Sequence, residues 1–213
     1  MQAIVIGATG LVGASLTQQL AANERFSSIT TLARRTAFKD LDKVNHHLVD
    51  FAALESHADL LTGDVLFSTL GTTKKQAGSL DAQRVIDVDY QLKAAAIAAR
   101  NGVAHLVLVS SNGANTQSTN PYLQMKGALE DAVKQLSFQR ISILQPSLLK
   151  GPRVGTRPGE VAGQMIMPLF TWVPGLRKYQ PIHCDVVATK MIGVALGQNQ
   201  PLATYRLQEV FAL

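Results

Sequence analysis

Hydrophobic residues fall in short runs separated by amphipathic stretches, and the two periods alternate along the chain. Ala3 to Ile6 is an apolar run that predicts a buried strand, and Leu11, Val12, Leu16 and Leu20 then recur at helical spacing. Ser28 to Ala33, rich in β-branched residues, reads as a second strand, and Asn45 to Val49 as a short third one ending at Asp50-Phe51, with a helix from Ala52. Asp64 to Leu70 is continuously apolar, as in a parallel strand covered on both faces. Lys74 to Ser79 reads as a polar, mobile loop, and Leu80 to Arg100 as a long helix with Ser79 as cap and Asn101-Gly102 as stop. His105 to Ser110 is a fifth strand, Asn115 to Pro121 a polar loop, Tyr122 to about Leu136 a helix, and Arg140 to Leu144 a sixth strand. This alternation predicts an α/β fold, a doubly wound parallel sheet with right-handed crossovers.

From Gln145 the texture changes, with prolines and glycines breaking the pattern. Glu160 to Phe170 and Asp185 to Leu196 read as helices, the second capped by Asp185, and Tyr205 to Leu207 as a final strand. The expectation is one domain with a core over about 1–145 and a small substrate lobe over about 146–213.

Composition narrows this picture. A chain of 213 residues with 46% hydrophobic content can bury a sizeable core without a metal or disulfide. The formal charge of +5 comes from scattered basic residues, so no nucleic acid is expected. No apolar run reaches the roughly 18 residues of a membrane span. Cys184 is the sole cysteine, which precludes an internal disulfide and fits a reducing compartment. With a first strand at Ala3 leaving no room for a signal peptide, a cytoplasmic location is the expectation.

The candidate chemistry begins at the first turn. Gly7, Gly10 and Gly13 follow the first strand at three-residue spacing, with Thr9, Leu11 and Val12 between them. Strand, glycine turn and helix N-terminus together make a cradle for a pyrophosphate. Arg34 and Arg35 stand at the end of the second strand, where an acidic residue would favour NAD(H) and an arginine would pair with a 2′-phosphate. NADP(H) is therefore the expected cofactor. Asp50, beside Phe51, suits either an adenine amino group or an N-cap. Leu70, Gly71 and Thr72 end the fourth strand with small residues that leave space for ribose and nicotinamide.

Tyr122 and Lys126 lie four apart on one predicted helix and share a face. A lysine ammonium favours the phenolate and would lower the tyrosine pKa. Such a tyrosine can move a proton to or from a carbonyl or alcohol oxygen while hydride moves at nicotinamide. Ser110 or Ser111, at the neighbouring strand end, can hold the same oxygen.

These segments resemble the atypical short-chain dehydrogenases/reductases, and more narrowly their Tat-interacting-protein-like branch with its small bacterial oxidoreductase relatives. The likeness is carried by Gly7 to Gly13, Leu70 to Gly78, Asp87-Val88-Asp89-Tyr90, Ser110 to Ala114, Tyr122 to Gly127 and Arg157-Pro158-Gly159-Glu160. It implies a Rossmann fold, with Tyr122 as acid/base, Lys126 tuning it and holding the nicotinamide ribose, and Ser110 or Ser111 polarising the substrate. The chain departs from the pattern at Asp87, where such enzymes often carry asparagine, and at Gln145-Pro146-Ser147, where extended members have Arg-Pro-Ser. Ile182 to Ala188 is similar to the family's C-terminal strand-to-helix segment, where His183 suits either a substrate pocket or a core or interface position.

Three functions fit these residues. The first is an NADP(H)-dependent oxidoreductase for a small carbonyl or alcohol. The second is an NADP(H)-binding redox sensor with a protein partner, a role kept open because eukaryotic relatives are associated with partners. The third is a nucleotide-sugar epimerase-like enzyme. The alanine-rich face of Leu80 to Arg100 can also pack against a second copy in a homodimer.

Overall fold

The computed structural model describes residues 1–36, 41–151 and 181–210. Seven parallel strands form one sheet: β1 (Gln2–Ile6), β2 (Ser28–Ala33), β3 (Val44–Leu48), β4 (Val65–Ser68), β5 (His105–Val109), β6 (Arg140–Gln145) and β9 (Leu202–Arg206). Their order is β3-β2-β1-β4-β5-β6-β9, and every pairing is parallel. The chain reverses its winding between β1 and β4, the switch point where such sheets bind ligands outside their carboxyl ends. Two short strands, β7 (Leu149–Lys150) and β8 (Ile182–His183), pair separately.

The apolar runs are continuous because alternate residues of each strand feed two cores. Ala3 and Val5 of β1, with Phe67 of β4 and Val107 of β5, pack with Leu16 of helix α1 (Leu11–Ala22) and Val187 and Met191 of the last helix. Ile4 and Ile6, with Leu66, Leu106 and Leu108, pack on the opposite face with Ala94 and Leu129 of other helices. Each full burial of a side chain this size contributes about 1.5–3 kcal/mol.

Lys74 to Ser79, expected as a mobile loop, instead begins with the helical turn α2 (Lys74–Ala77). Thr73 caps it by accepting from the Gln76 N–H, and Gly78 closes it at φ +94°. Leu80 to Arg100 is helical throughout and Ser79 caps it, accepting from the Ala82 N–H at 3.0 Å. It is not one α-helix, however: α3 (Leu80–Arg84) and α4 (Tyr90–Arg100) are joined by a π-helical stretch, Val85–Asp89. Within this stretch the Asp87 carbonyl accepts from the Gln91 side-chain amide at 2.6 Å. Asn120 caps helix α5 (Pro121–Val133), with Pro121 at its first turn.

Helix α6 (Cys184–Gly197) starts one residue before the expected helix, and His183 rather than Asp185 is its N-cap. Asp185 is drawn away by helix α1, where Ser15 Oγ donates to it at 2.6 Å. The final strand is longer than expected and joins the main sheet beside β6. Of the predicted C-terminal lobe, the part from Cys184 onward thus packs on α1 and extends the sheet. The expected helix from Glu160 to Phe170 and the Arg157 to Glu160 motif lie outside the described residues.

A buried polar network closes the sheet away from the switch point. His105 Nε2 lies 2.8 Å from Ser142 Oγ, which donates to Gln198 Oε1, and Tyr205 donates to the same oxygen at 3.1 Å. Burial, aided by the Arg140 charge, pushes His105 from its ordinary 6.5 down to about 4. The folded chain therefore resists a proton that the unfolded chain accepts. Stability that is fully present above pH 6.5 falls as pH drops toward 4, by roughly 3 kcal/mol in total. Denaturant unfolding of the wild type and His105→Gln between pH 7 and about 4 should show a flatter stability profile in the variant. Parallel profiles would refute the assignment.

Candidate active site

The carboxyl ends of five adjacent strands assemble the site. At β1 the chain turns at Gly7 with φ +83°, a backbone conformation that disfavours a side chain. The Gly10 N–H bonds the Gly7 carbonyl at 2.8 Å, and α1 starts at once with Gly10 as its N-cap. No side chain caps this helix, so its first N–H groups face outward with the positive end of the dipole. A Cβ on Gly13 would run into the Gly7 carbonyl oxygen and sit 2.6 Å from Thr69 Oγ1. Thr69 is held in turn by its hydroxyl and its N–H, both donating to the Ile6 carbonyl, at 2.8 and 3.0 Å. Helix, turn and β4 are thus packed to backbone contact, and the cradle is built for a phosphate to approach peptide groups. Thr9 and Leu11 are partly exposed along it, while Val12 points into the core.

Arg34 and Arg35 follow directly on β2, the neighbour of β1, and both are exposed. Asp50 is also exposed, and its carboxylate accepts from the Ala52 N–H at 2.9 Å, so the N-cap reading describes its present bond. Phe51 is different from expectation at the side-chain level. Its ring is 1% exposed and packs 5.7 Å from the Tyr90 ring, so it belongs to the core and only its backbone lies along the edge. The segment it begins, Phe51–Leu60, is a kinked 3-10 helix.

Beyond β4, Leu70 and Thr72 are partly buried and Gly71 is exposed. The Thr72 N–H donates to Asp87 at 2.7 Å, and the Gln83 side chain reaches both the Thr72 carbonyl and Asp87 at 3.3 Å. Asp87 is fully buried in the π-helical stretch. Burial raises its pKa, while the Lys126 charge and the bonds from Thr72 and Gln83 oppose the rise.

Tyr122, Lys126 and the two serines meet above β5, and they divide the labour unevenly. Ser111 stands near enough to the Tyr122 hydroxyl to lower its pKa. Ser110 is 5% exposed and donates instead to Glu130, a buried carboxylate on α5. Ser110 is therefore committed to an internal bond, and Ser111 is the serine beside the phenol. Lys126 is only 3% exposed, and burial lowers its pKa against the pull of Asp87 and Glu130.

The phenol does not behave as the Tyr–Lys spacing suggested. Burial raises the Tyr122 pKa, nearby Ser111 lowers it, and the Asp87 charge raises it further. The expected lowering by Lys126 is overturned chiefly because the phenol is buried, with the Asp87 charge adding to the rise. Asp87 is the position where the sequence departs from the asparagine common in such enzymes, whereas Glu130 and Gln83 were not singled out. The only signal of those two was polarity at positions where an amphipathic helix faces the core.

His183 is exposed, while Cys184 is buried with its thiol pKa raised chiefly by burial. No helix among the described residues is long and apolar enough to cross a membrane.

A parallel sheet with a glycine cradle at its switch point, a basic pair on the next strand and a Tyr–Lys helix alongside defines a dinucleotide-binding protein. Residues 7–164 match the NAD(P)H-binding family. The chain is 39% identical over 160 residues to Protein HTATIP2 of Rattus norvegicus, covering 73% of this chain and 66% of that one. It is 34% identical over 212 residues to Protein FMP52, mitochondrial, of Saccharomyces cerevisiae, covering 93% and 88%. MoeE5 in complex with UDP-glucuronic acid and NAD shares the fold at a TM-score of 0.76 and 17% identity, covering 97% of this chain and 76% of the other. The chain belongs to the NAD(P)H-binding family, in the atypical short-chain dehydrogenase/reductase branch that includes HTATIP2 and FMP52. The cytoplasmic expectation is overturned by the fungal relatives, which are named mitochondrial in Emericella nidulans, Candida glabrata and Saccharomyces cerevisiae. A single cysteine argues against a disulfide framework but does not choose among reducing compartments.

Gly13→Ala tests the cradle. The added methyl should cost about 1–3 kcal/mol of stability and weaken NADPH binding tenfold or more, read by thermal unfolding and fluorescence titration. Unchanged affinity would show that the dinucleotide does not lie on this turn.

Proposed function

We propose that the protein is an NADP(H)-dependent oxidoreductase acting on a small carbonyl or alcohol, with Tyr122 as its acid/base. The carrying observation is the proximity of Ser111 to Tyr122 at the sheet's carboxyl edge, with Lys126 one turn away on the same helix. The glycine turn and α1 would hold the pyrophosphate, and Arg34 or Arg35 the 2′-phosphate. Thr72 and Lys126 would hold the nicotinamide ribose. The bound nicotinamide supplies or accepts the hydride. Ser111 polarises the substrate oxygen, and Tyr122 delivers a proton to it as the carbonyl becomes an alcohol. Residues 146–213 would shape the substrate pocket.

A phenol pKa above the ordinary value near 10 keeps Tyr122 protonated at neutral pH. That suits a proton donor, so carbonyl reduction is the favoured direction. Reduction should hold steady through neutral pH and fall only in the alkaline range where the phenol ionises.

The same observation supports a second reading. An unactivated phenol beside a charge-compensated lysine also suits an NADP(H)-binding redox sensor that recruits a protein partner with little turnover. For the compartment, the relatives named mitochondrial make that organelle the one to test by fractionation.

Tyr122→Phe separates the readings. The enzyme reading expects kcat for a responsive carbonyl to fall roughly 10²- to 10⁴-fold while the NADPH Kd stays within about twofold. An unchanged kcat would remove Tyr122 from the chemistry, and a wild type that turns over no carbonyl in a broad panel would favour the sensor. In the same titration NADPH should bind more tightly than NADH, and the reverse order would sink the role given to Arg34 and Arg35.

A further inference from the structure

Glu130 lies one helical turn beyond Lys126 on α5, and both side chains are buried, at 5% and 3% exposure. Residues four apart on a helix share a face. The Glu130 carboxylate also gathers two strand ends. Ser110 Oγ, just past β5, donates to Oε1, and Gln145 Nε2, at the end of β6, donates to both oxygens at 2.9 and 3.0 Å. Gln145 Oε1 in turn accepts from Arg206 Nε at 3.1 Å, which brings in β9. One carboxylate therefore joins the helix that carries Tyr122 and Lys126 to three strands of the sheet.

Burying a charge costs several kcal/mol unless a partner of opposite sign compensates it. Serine and glutamine are neutral donors, and Arg206 reaches Glu130 only through Gln145. The ammonium beside Glu130 on its own helix face is Lys126. The groups around Lys126 can be enumerated. Asp87 comes from the π-helical stretch, while Glu130 and Tyr122 come from its own helix. The basic side chains of α4 are engaged elsewhere, Lys93 with the Ala52 carbonyl at 2.8 Å and Arg100 with Glu55 at 2.7 Å.

We propose that Glu130 is a positioning residue of the Tyr122–Lys126 site: its carboxylate balances the buried Lys126 charge while anchoring that helix to the ends of β5 and β6. It acts through Lys126 and touches neither substrate nor cofactor. Asp87, from the π-helical stretch, balances the lysine as well. Together they oppose the fall in its pKa that burial causes. By engaging Ser110, Glu130 also leaves Ser111 as the serine beside the phenol. The role assigned to Lys126 rests on the function proposed above, but its charge state does not.

The test is therefore made on the charge itself. In full-length protein carrying 13C-labelled lysine, the Lys126 Cε resonance, assigned by its loss in Lys126→Met, is followed against pH. Glu130→Gln keeps size and removes charge, so the Lys126 midpoint should fall by about one unit or more, at least a tenfold rise in its acid dissociation constant. Glu130→Asp keeps the charge but draws it back by one methylene, so the midpoint should fall by less. Ser110→Ala breaks an anchor without touching the charge and should leave the midpoint near that of the wild type. If Glu130→Gln does not fold, a fall in Glu130→Asp supports the proposal and an unmoved midpoint refutes it. An unmoved midpoint in folded Glu130→Gln likewise refutes it, whatever Tyr122→Phe does to turnover. In the kinetic assay, Glu130→Gln should raise the KM for NADPH at alkaline pH more than it lowers kcat, and Glu130→Asp should restore part of the difference.

Discussion

The amine of Lys126 is buried where two carboxylates, Asp87 and Glu130, offset the effect of burial on its charge, and much of the site's construction follows from that. A lone charge at 3% exposure is not tolerated in a protein interior. Asp87 and Glu130 make it tolerable, and each is itself buried and needs hydrogen bonds. Asp87 finds them on Thr72 and Gln83, which ties the loop after β4 to the helix. Glu130 finds them on Ser110 and Gln145, which ties α5 to β5 and β6. The polar groups at the carboxyl edge are one connected system rather than a set of independent catalytic positions.

The π-helical stretch belongs to that system. Its Asp87 carbonyl accepts from the Gln91 side-chain amide, whose oxygen in turn accepts from Ser68 at 2.7 Å at the end of β4. The helix surrenders regularity at the residue whose carboxylate faces Lys126. Insertions of this kind tend to fall at functional positions.

The fold was legible in the sequence to a large degree, because a parallel sheet covered on both faces leaves its mark in every strand. Ala3 to Ile6, Val65 to Phe67 and Leu106 to Val109 are apolar without interruption, as strands buried on both faces of a parallel sheet require. The glycine turn was legible for a steric reason, since Gly13 meets backbone where other residues would carry a Cβ. Capping at the chain's later helices was less so. His183 and Asp185 flank the same helix start, and the choice between them was made by Ser15, 170 positions away in the chain. Short-range rules carry no information about that bond.

The chemistry of the site was half legible for a related reason. Spacing along one helix brings Tyr122 and Lys126 to the same face, and it does so in any context. What the pair can do depends on charges that arrive from other elements. Seen alone, Lys126 should acidify the phenol. In the folded chain burial raises the phenol instead, and the Asp87 charge adds to the rise. The same logic separates the two serines, which are neighbours in the chain and equivalent to any motif. Ser110, the last inward position above β5, meets Glu130, and Ser111, one step further, meets Tyr122. A proton donor with an intact proton and a serine nearby suits the carbonyl reduction proposed above, and that state comes chiefly from the burial of the phenol, with the Asp87 charge adding to it, rather than from the lysine on the same face.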